Sequence, residues 1–167
     1  MSRPVRLADR PLTQDEARAI VAWRYEPPFD FYDLSGEDPV ALLTTRDERG
    51  HGYYPVQAGT DVLGYVCFGA EGRVRGQEEE PGTLDVGMGL APDRLSQGVA
   101  TALLPEVVRF ARERFGATRL RAAVAAFNDR SLRLCTSAGF RRVREFPGPD
   151  GRPFVELVRD LPRRPAR

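Results

Sequence analysis

The chain has 167 residues, 41% of them hydrophobic, with 25 Lys and Arg against 24 Asp and Glu and a formal net charge of +1. This length suits one domain with a single two-layer core, and the balanced charge removes the electrostatic case for nucleic acid that a strongly basic domain would make. Cys67 and Cys135 form no secretory disulfide framework, no run approaches the roughly 18 apolar residues of a membrane span, and the start MSRPVRLADRP lacks a signal-peptide core. The expected setting is reduced and cytoplasmic.

From the N-terminus, Pro4–Leu7 reads as a first strand, and Thr13-x-x-Glu16 is a capping box that opens a helix running to about Trp23, with Ala17, Ile20 and Val21 as its buried stripe. The segment WRYEPPFDFYDLSGEDP is aromatic, acidic and broken by Pro27, Pro28 and Pro39, so an irregular or short-helical loop is expected. A short helix over Pro39–Thr45 precedes two strands, Tyr53–Ala58 and Val62–Phe68, joined as a hairpin around Gly59-Thr60-Asp61. Residues 70–81 form a polar loop, and a glycine-punctuated strand, LDVGMGLAP, begins near Thr83. Its Gly87 and Gly89 predict a bulge or a close backbone approach.

A helix is expected from about Gly98 to Phe115, with Pro105 inside it, where the ring removes a hydrogen bond and should kink the axis. Arg119–Val124 is the next strand and Asp129–Ala138 the next helix. Phe140–Phe146 and Phe154–Val158 close the sheet, and 163–167 is an arginine-rich tail beyond a single domain at 1–162. The mixed order of strands and helices predicts an α+β or α/β domain, a central sheet covered by helices.

The chemistry concentrates in the stretch from Leu84 to Phe140. A helix start carries about four N–H groups without intrahelical partners, and the peptide dipoles add partial positive charge there. Gly98 and Ala100 keep this turn bare, so a pyrophosphate could approach the amides of Gln97, Gly98, Val99, Ala100 and Thr101. An ordinary strand-to-helix connection would give the same spacing. Beyond the helix come a short apolar strand, RLRAAVAA, and the segment AFNDRSLRLCTSAGF, with Asn128, Ser131 and Gly139-Phe140.

Together these segments, about a third of the chain, resemble the core of the GNAT superfamily of acyl-coenzyme A N-acyltransferases. The family's pyrophosphate turn runs Arg/Gln-x-x-Gly-x-Gly/Ala; here Leu95-Ser96-Gln97-Gly98-Val99-Ala100 matches in its last three positions and departs at Leu95. The resemblance implies a mixed, mostly antiparallel sheet whose fourth and fifth strands, Asp85–Leu90 and Arg119–Val124, splay to admit acetyl-coenzyme A. It places the pantetheine arm against the backbone of Met88 and Leu90, adds Asn128 and Ser131 to the cofactor contacts, and calls for no metal. The WRY-E-P-P-aromatic pattern is similar to a bacterial branch of ribosomal-protein-acetyltransferase-like members. A homodimer is implied by family habit only.

An amine that attacks a thioester must lose a proton, and the departing thiolate must gain one. For the base, Asp85 on the cofactor strand is the first candidate and Glu26 the second; an outward-facing strand aspartate is the plain alternative for Asp85. His51, the only histidine, lies in Arg-Gly-His-Gly, which reads as a turn. For the acid, related enzymes often carry a tyrosine four residues before Gly139, where this chain has Cys135. A thiol, with an ordinary pKa of about 8.5 against about 10 for a phenol, can also give up a proton, but a small buried helix residue explains Cys135 equally. Trp23, Tyr25, Phe29, Phe31 and Tyr32 are the candidate acceptor pocket, with Glu26, Asp30 and Asp33 to hold a cation, or else they anchor a long loop. Glu78-Glu79-Glu80 either steers a cationic substrate or is solvated surface.

Three readings remain at this point: an acetyltransferase for a small-molecule or peptide amine, a toxin-like enzyme acting on an aminoacyl-tRNA amine, and a non-catalytic acyl-coenzyme A sensor. Arg141, Arg142 and Arg144 speak for the RNA-borne substrate, and the balanced charge speaks against it.

Overall fold

The computed structural model describes residues 3–163, so the tail expected at 163–167 lies, beyond Arg163, outside the described residues. Seven strands form one sheet: β1 (Val5–Leu7), β2 (Tyr53–Ala58), β3 (Asp61–Phe68), β4 (Leu84–Leu90), β5 (Arg119–Ala125), β6 (Arg141–Pro147) and β7 (Pro153–Asp160), in the order β1-β2-β3-β4-β5-β7-β6. Among the described residues four α-helices accompany them: α1 (Gln14–Val21), α2 (Pro39–Thr44), α3 (Val99–Phe115) and α4 (Asp129–Ser137). This is the mixed α+β architecture expected from the sequence. The β1–β2, β2–β3, β5–β7 and β6–β7 ladders are antiparallel, and β4–β5 is parallel.

The parallel ladder is short. β4 and β5 pair at Leu84↔Leu120 and Asp85↔Arg121, although β4 continues to Leu90 and β5 to Ala125. β5 instead pairs along its whole length with β7, from Arg119↔Asp160 to Ala125↔Phe154. The parallel pairing of the fourth and fifth strands is confined to these first residues.

The chain divides into two compact units, one made of the residues up to Cys67 with Met88–Leu103, the other of Phe68–Gly87 with the residues from Leu104 onward. In the first, α1 and α2 bury Leu12, Ala17, Ile20 and Leu43 with Tyr53 of β2 and Cys67 of β3. Cys67 is a core residue here. The β2–β3 turn is two residues long, with Gly59 at φ +62°, the left-handed conformation such turns require. In the second unit, Phe68 stacks on Phe110 at 5.8 Å and meets Phe115 at 5.2 Å, which seats the C-terminal part of α3. α3 runs unbroken through Pro105, so the proline costs one hydrogen bond without ending the helix. Nothing in the structure explains its presence.

The predicted capping box is formed. The Thr13 hydroxyl accepts from the Glu16 amide at 3.1 Å, and Glu16 accepts from the Thr13 amide at 2.9 Å. Arg10 also donates to both Glu16 oxygens, at 2.7 and 2.9 Å. Those hydrogen bonds hold the Glu16 carboxyl down at about 2, against the opposing pull of partial burial. Since the folded value lies below the unfolded one of about 4.3, the stabilisation is present above pH 4.3 and is lost as pH falls towards 2. Glu16→Gln is therefore expected to cost about 1 kcal/mol at pH 7, a figure that discounts the half-exposed Arg10 for screening, and to cost almost nothing near pH 2. Urea melts of both proteins at the two pH values check this.

Candidate active site

The connection from β4 to α3 carries the expected anion cradle. After a short 3-10 turn at Pro92–Arg94, Ser96 and Gly98 both adopt positive φ, +66° and +75°. A serine in this region is uncommon and costs on the order of 1 kcal/mol, so the loop spends stability to hold its shape. The Gln97 side chain folds back and donates to the Asp93 carbonyl at 2.8 Å. The first turn-closing bond of α3 runs from the Ala102 amide to the Gly98 carbonyl at 3.1 Å. The amides of Gly98, Val99, Ala100 and Thr101 precede it and have no intrahelical acceptor. Gly98 stands at the cap position without a side chain to satisfy them, and no atom lies within 4 Å of where its Cβ would be. Val99 is buried, Ala100 is half-buried, and Gln97 and Thr101 are exposed. Leu95, the departure from the family turn, is 40% exposed and leaves this backbone geometry intact.

The end of β4 belongs to the same compact unit and is tied to the aromatic segment. The Tyr25 hydroxyl donates to the Leu90 carbonyl at 2.6 Å, and the Tyr25 amide donates to Asp33 Oδ1 at 2.9 Å. Burial, with the Asp33 charge adding to it, pushes the Tyr25 hydroxyl up to about 12, so it stays protonated and keeps donating at any working pH. Trp23, Tyr25 and Tyr32 line a shallow cleft together with Ile20, Leu34 and Tyr65. Three of the five predicted pocket aromatics are thus brought together. Phe29 and Phe31 are not among the lining residues; Phe29 stacks on Tyr32 at 6.5 Å between ring centroids, and Phe31 lies tilted against it at 3.9 Å.

Tyr65 is a site residue that sequence reasoning missed. Its signal lies in the pair Gly64 and Gly89, one on each of two neighbouring strands. A side chain on Gly64 would run into the Gly89 carbonyl, and one on Gly89 would lie 2.5 Å from the Tyr65 hydroxyl. The glycine expected to mark a close approach in β4 does so, and the group that approaches is the Tyr65 ring.

Asp85, the first candidate for the base, sits near the start of β4 among arginines. It is 2% exposed, and Arg121 grips it through both Nε, 2.6 Å from Oδ1, and Nη2, 3.2 Å from Oδ2. Arg73 reaches Oδ2 as well, at 3.2 Å. In this arrangement the Asp85 carboxylate ties Arg121 and Arg73 together at the base of β4 and β5.

Around it the cluster continues within the same unit. Arg121 also donates to the Glu78 carbonyl at 2.6 Å and lies 3.5 Å from Glu80. Glu156 accepts from Gln77 at 2.9 Å and from Arg144 at 3.2 Å. Burial works to raise the Glu156 carboxyl, but the hydrogen bonds from Gln77 and Arg144 with the Arg144 and Arg121 charges outweigh it and hold it below its ordinary value. The Glu78–Glu80 run therefore pins the polar loop through one carbonyl and one carboxylate. Arg144 and Arg141 likewise spend their charge on Glu156 and Asp160, the latter 3.6 Å from Arg141.

On α4, Asn128 is the helix cap, its Oδ1 accepting from the Ser131 amide at 3.2 Å. The two predicted cofactor residues there engage each other and fix the helix start. Cys135 is buried, 8% exposed, and burial pushes its thiol up to about 11. Glu26 is exposed. His51 occupies the predicted turn, 3.6 Å from Asp47, which also accepts from the His51 amide at 2.9 Å. Among the described residues no cluster of three or more His, Cys, Asp or Glu side chains could hold a metal ion, and no helix is long and apolar enough to cross a membrane.

A helix start without a capping side chain, following a strand with a short parallel ladder, fits an acyl-coenzyme A N-acyltransferase, and comparison with known proteins shows the family. Residues 3–141 match the family described as the acetyltransferase (GNAT) domain, so the chain belongs to the GNAT acetyltransferases. No curated protein sequence matches the chain. Among solved structures it is similar to the aminoglycoside acetyltransferase AAC(6')-Ib in complex with paromomycin and acetyl-coenzyme A, with 21% identity over 94% of this chain and 93% of that one, TM-score 0.74. It is also similar to a GNAT-family acetyltransferase from Bacillus anthracis, with 13% identity over 96% of each chain and a TM-score of 0.71. A spermidine N-acetyltransferase chimera from Vibrio cholerae shares 14% identity over 93% of this chain and 95% of that one, TM-score 0.65. None of these singles out the ribosomal-protein-acetyltransferase-like branch.

Proposed function

We propose that the protein transfers an acetyl group from acetyl-coenzyme A to a primary amine of a small molecule or peptide, by direct attack while both substrates are bound. The observation that carries this reading is the start of α3, where Gly98 at φ +75° brings no capping side chain and the first intrahelical bond is that of the Ala102 amide, so the first-turn amides have no intrahelical acceptor. Anionic oxygens are the natural partners of such a site. The amides of Gln97, Gly98, Val99, Ala100 and Thr101 hold the pyrophosphate, and the backbone of Met88 and Leu90 pairs with the pantetheine arm. The solved complexes of AAC(6')-Ib with acetyl-coenzyme A and with coenzyme A support the same choice of donor. Asn128 and Ser131 serve it indirectly, by fixing the start of α4.

In the transfer, the amine nitrogen bonds to the thioester carbonyl carbon, the carbon–sulfur bond breaks, and the nitrogen releases a proton. With Asp85 committed to Arg121 and Arg73, exposed Glu26 on the aromatic segment, or solvent beside it, receives that proton. For the leaving thiolate, Cys135 is a weak donor: at about 11 its thiol lies above an ordinary thiol, so the transfer would be uphill by roughly 3 kcal/mol. The thiolate therefore leaves as such and is protonated afterwards by buffer acid or hydronium from bulk solvent, which is downhill at a pH below the ordinary thiol value of about 8.5. Trp23, Tyr25 and Tyr32 form the acceptor side, where aromatic faces attract a cationic amine.

The locked Asp85 also favours a second reading, a non-catalytic acyl-coenzyme A sensor. A panel of aliphatic and aromatic monoamines, polyamines and peptide N-termini, screened for thiol release from acetyl-coenzyme A, separates the two. Turnover of at least one amine supports the transferase; release no faster than without protein, across the panel, supports the sensor.

A further inference from the structure

The room beside the end of β4 is already filled by one side chain. Tyr65 leans from β3 across Gly89, so closely that a Cβ on Gly89 would sit 2.5 Å from its hydroxyl and from ring carbon Cζ. On its other sides the ring stacks against Trp23 at 6.4 Å and meets Tyr53 edge-on at 5.3 Å. The wall is also fastened in place, because Tyr25 bonds to the Leu90 carbonyl at 2.6 Å and to Asp33 through its amide. Burial raises the Tyr65 hydroxyl above its ordinary range, so the ring presents a neutral O–H and no charge.

Gly89 lies between Met88 and Leu90, the two residues whose backbone takes the pantetheine arm in the proposed function, and this inference rests on that assignment. On that assignment the Tyr65 ring stands directly beside the strand segment that takes the arm. From this packing we propose that Tyr65 is a specificity-determining residue that restricts the donor to acetyl, by occupying the volume a longer acyl chain would need. Extra methylenes forced into a well-packed wall strain it, and a pocket sized to its ligand discriminates by roughly 10-fold or more per misfit. Gly89 is the matching half of the device, since any side chain there would displace the ring.

The test needs no knowledge of the acceptor. Coenzyme A, acetyl-, butyryl- and hexanoyl-coenzyme A are titrated calorimetrically into the wild-type protein and into Tyr65→Ala, Tyr65→Leu and Tyr65→Phe, each checked for a cooperative thermal transition. In the wild type, hexanoyl-coenzyme A is expected to bind at least ~10-fold more weakly than acetyl-coenzyme A. Tyr65→Ala should bring the two within about 3-fold of each other, and Tyr65→Phe, which keeps the ring, should retain the wild-type ratio. If Tyr65→Ala does not fold, Tyr65→Leu carries the same expectation with less lost packing. Equal binding of all acyl lengths by the wild type, or an unchanged ratio in a folded Tyr65→Ala or Tyr65→Leu, overturns the inference while leaving the cofactor assignment intact. Failure of the wild type to bind any of the four removes the cofactor assignment, and this inference with it.

Discussion

Asp85→Asn is expected to destabilise the protein by about 3–5 kcal/mol, and to do so without a specific effect on chemistry. The variant keeps the shape of the side chain but removes the charge that neutralises Arg121 and Arg73 at 2.6 and 3.2 Å, leaving a guanidinium only 5% exposed without its closest partner. Arg121 would still have Glu156 at 3.7 Å and Glu80 at 3.5 Å, which limits the loss to the lower part of that range. Denaturant melts measure the stability, and turnover of an amine found by screening, taken at low temperature where the variant is folded, measures the chemistry. The expected pattern is a large shift in midpoint with turnover per folded molecule within about 3-fold of wild type, against the loss of 100-fold or more expected on removing a general base. A large loss of turnover in fully folded protein would return Asp85 to the role of base.

The second large effect is expected at Gly98. Its φ of +75° costs a β-branched residue about 1–2 kcal/mol, so Gly98→Val should lower stability by that amount. The greater effect falls on the ligand. A valine at this position places two methyl groups beside the first-turn amides of α3, where a phosphate oxygen has to approach. Losing two charge-assisted hydrogen bonds at ~1.5 kcal/mol each weakens coenzyme A binding by about 100-fold. Titration of the variant with coenzyme A checks the figure, and binding within about 3-fold of wild type would mean that the anion sits elsewhere.

Much of the fold is legible in the sequence because its signals are local. Thr13 and Glu16 announce their helix by a reciprocal pair of bonds, Gly59 announces its turn by the backbone conformation it alone tolerates well, and the apolar positions of β2, β3 and β5 announce strands by their pattern. Gly98 is legible for the same reason, since a bare helix start is a property of a few consecutive residues. The role of Asp85 is not, because its partners Arg73 and Arg121 lie 12 and 36 positions away and nothing in LDVGMGL reports that a guanidinium fills the space beside it. Tyr65 is hidden by the same cause: on its own strand it is one more β-forming aromatic, and only the pairing with Gly89 gives it a place in the site. The aromatic segment is legible in part. Its composition marks it as unusual, but which rings line the cleft and which stack on one another depends on the path of the loop through Pro27 and Pro28, and composition does not encode that path.

The measurement closest to the centre of these conclusions is a calorimetric titration of the purified protein with acetyl-coenzyme A, repeated with coenzyme A. If the start of α3 and the end of β4 hold the donor through its pyrophosphate and pantetheine, both ligands bind with micromolar affinity, because those groups are common to the two. Absence of binding to either would contradict the assignment of the cradle and the transferase function built upon it.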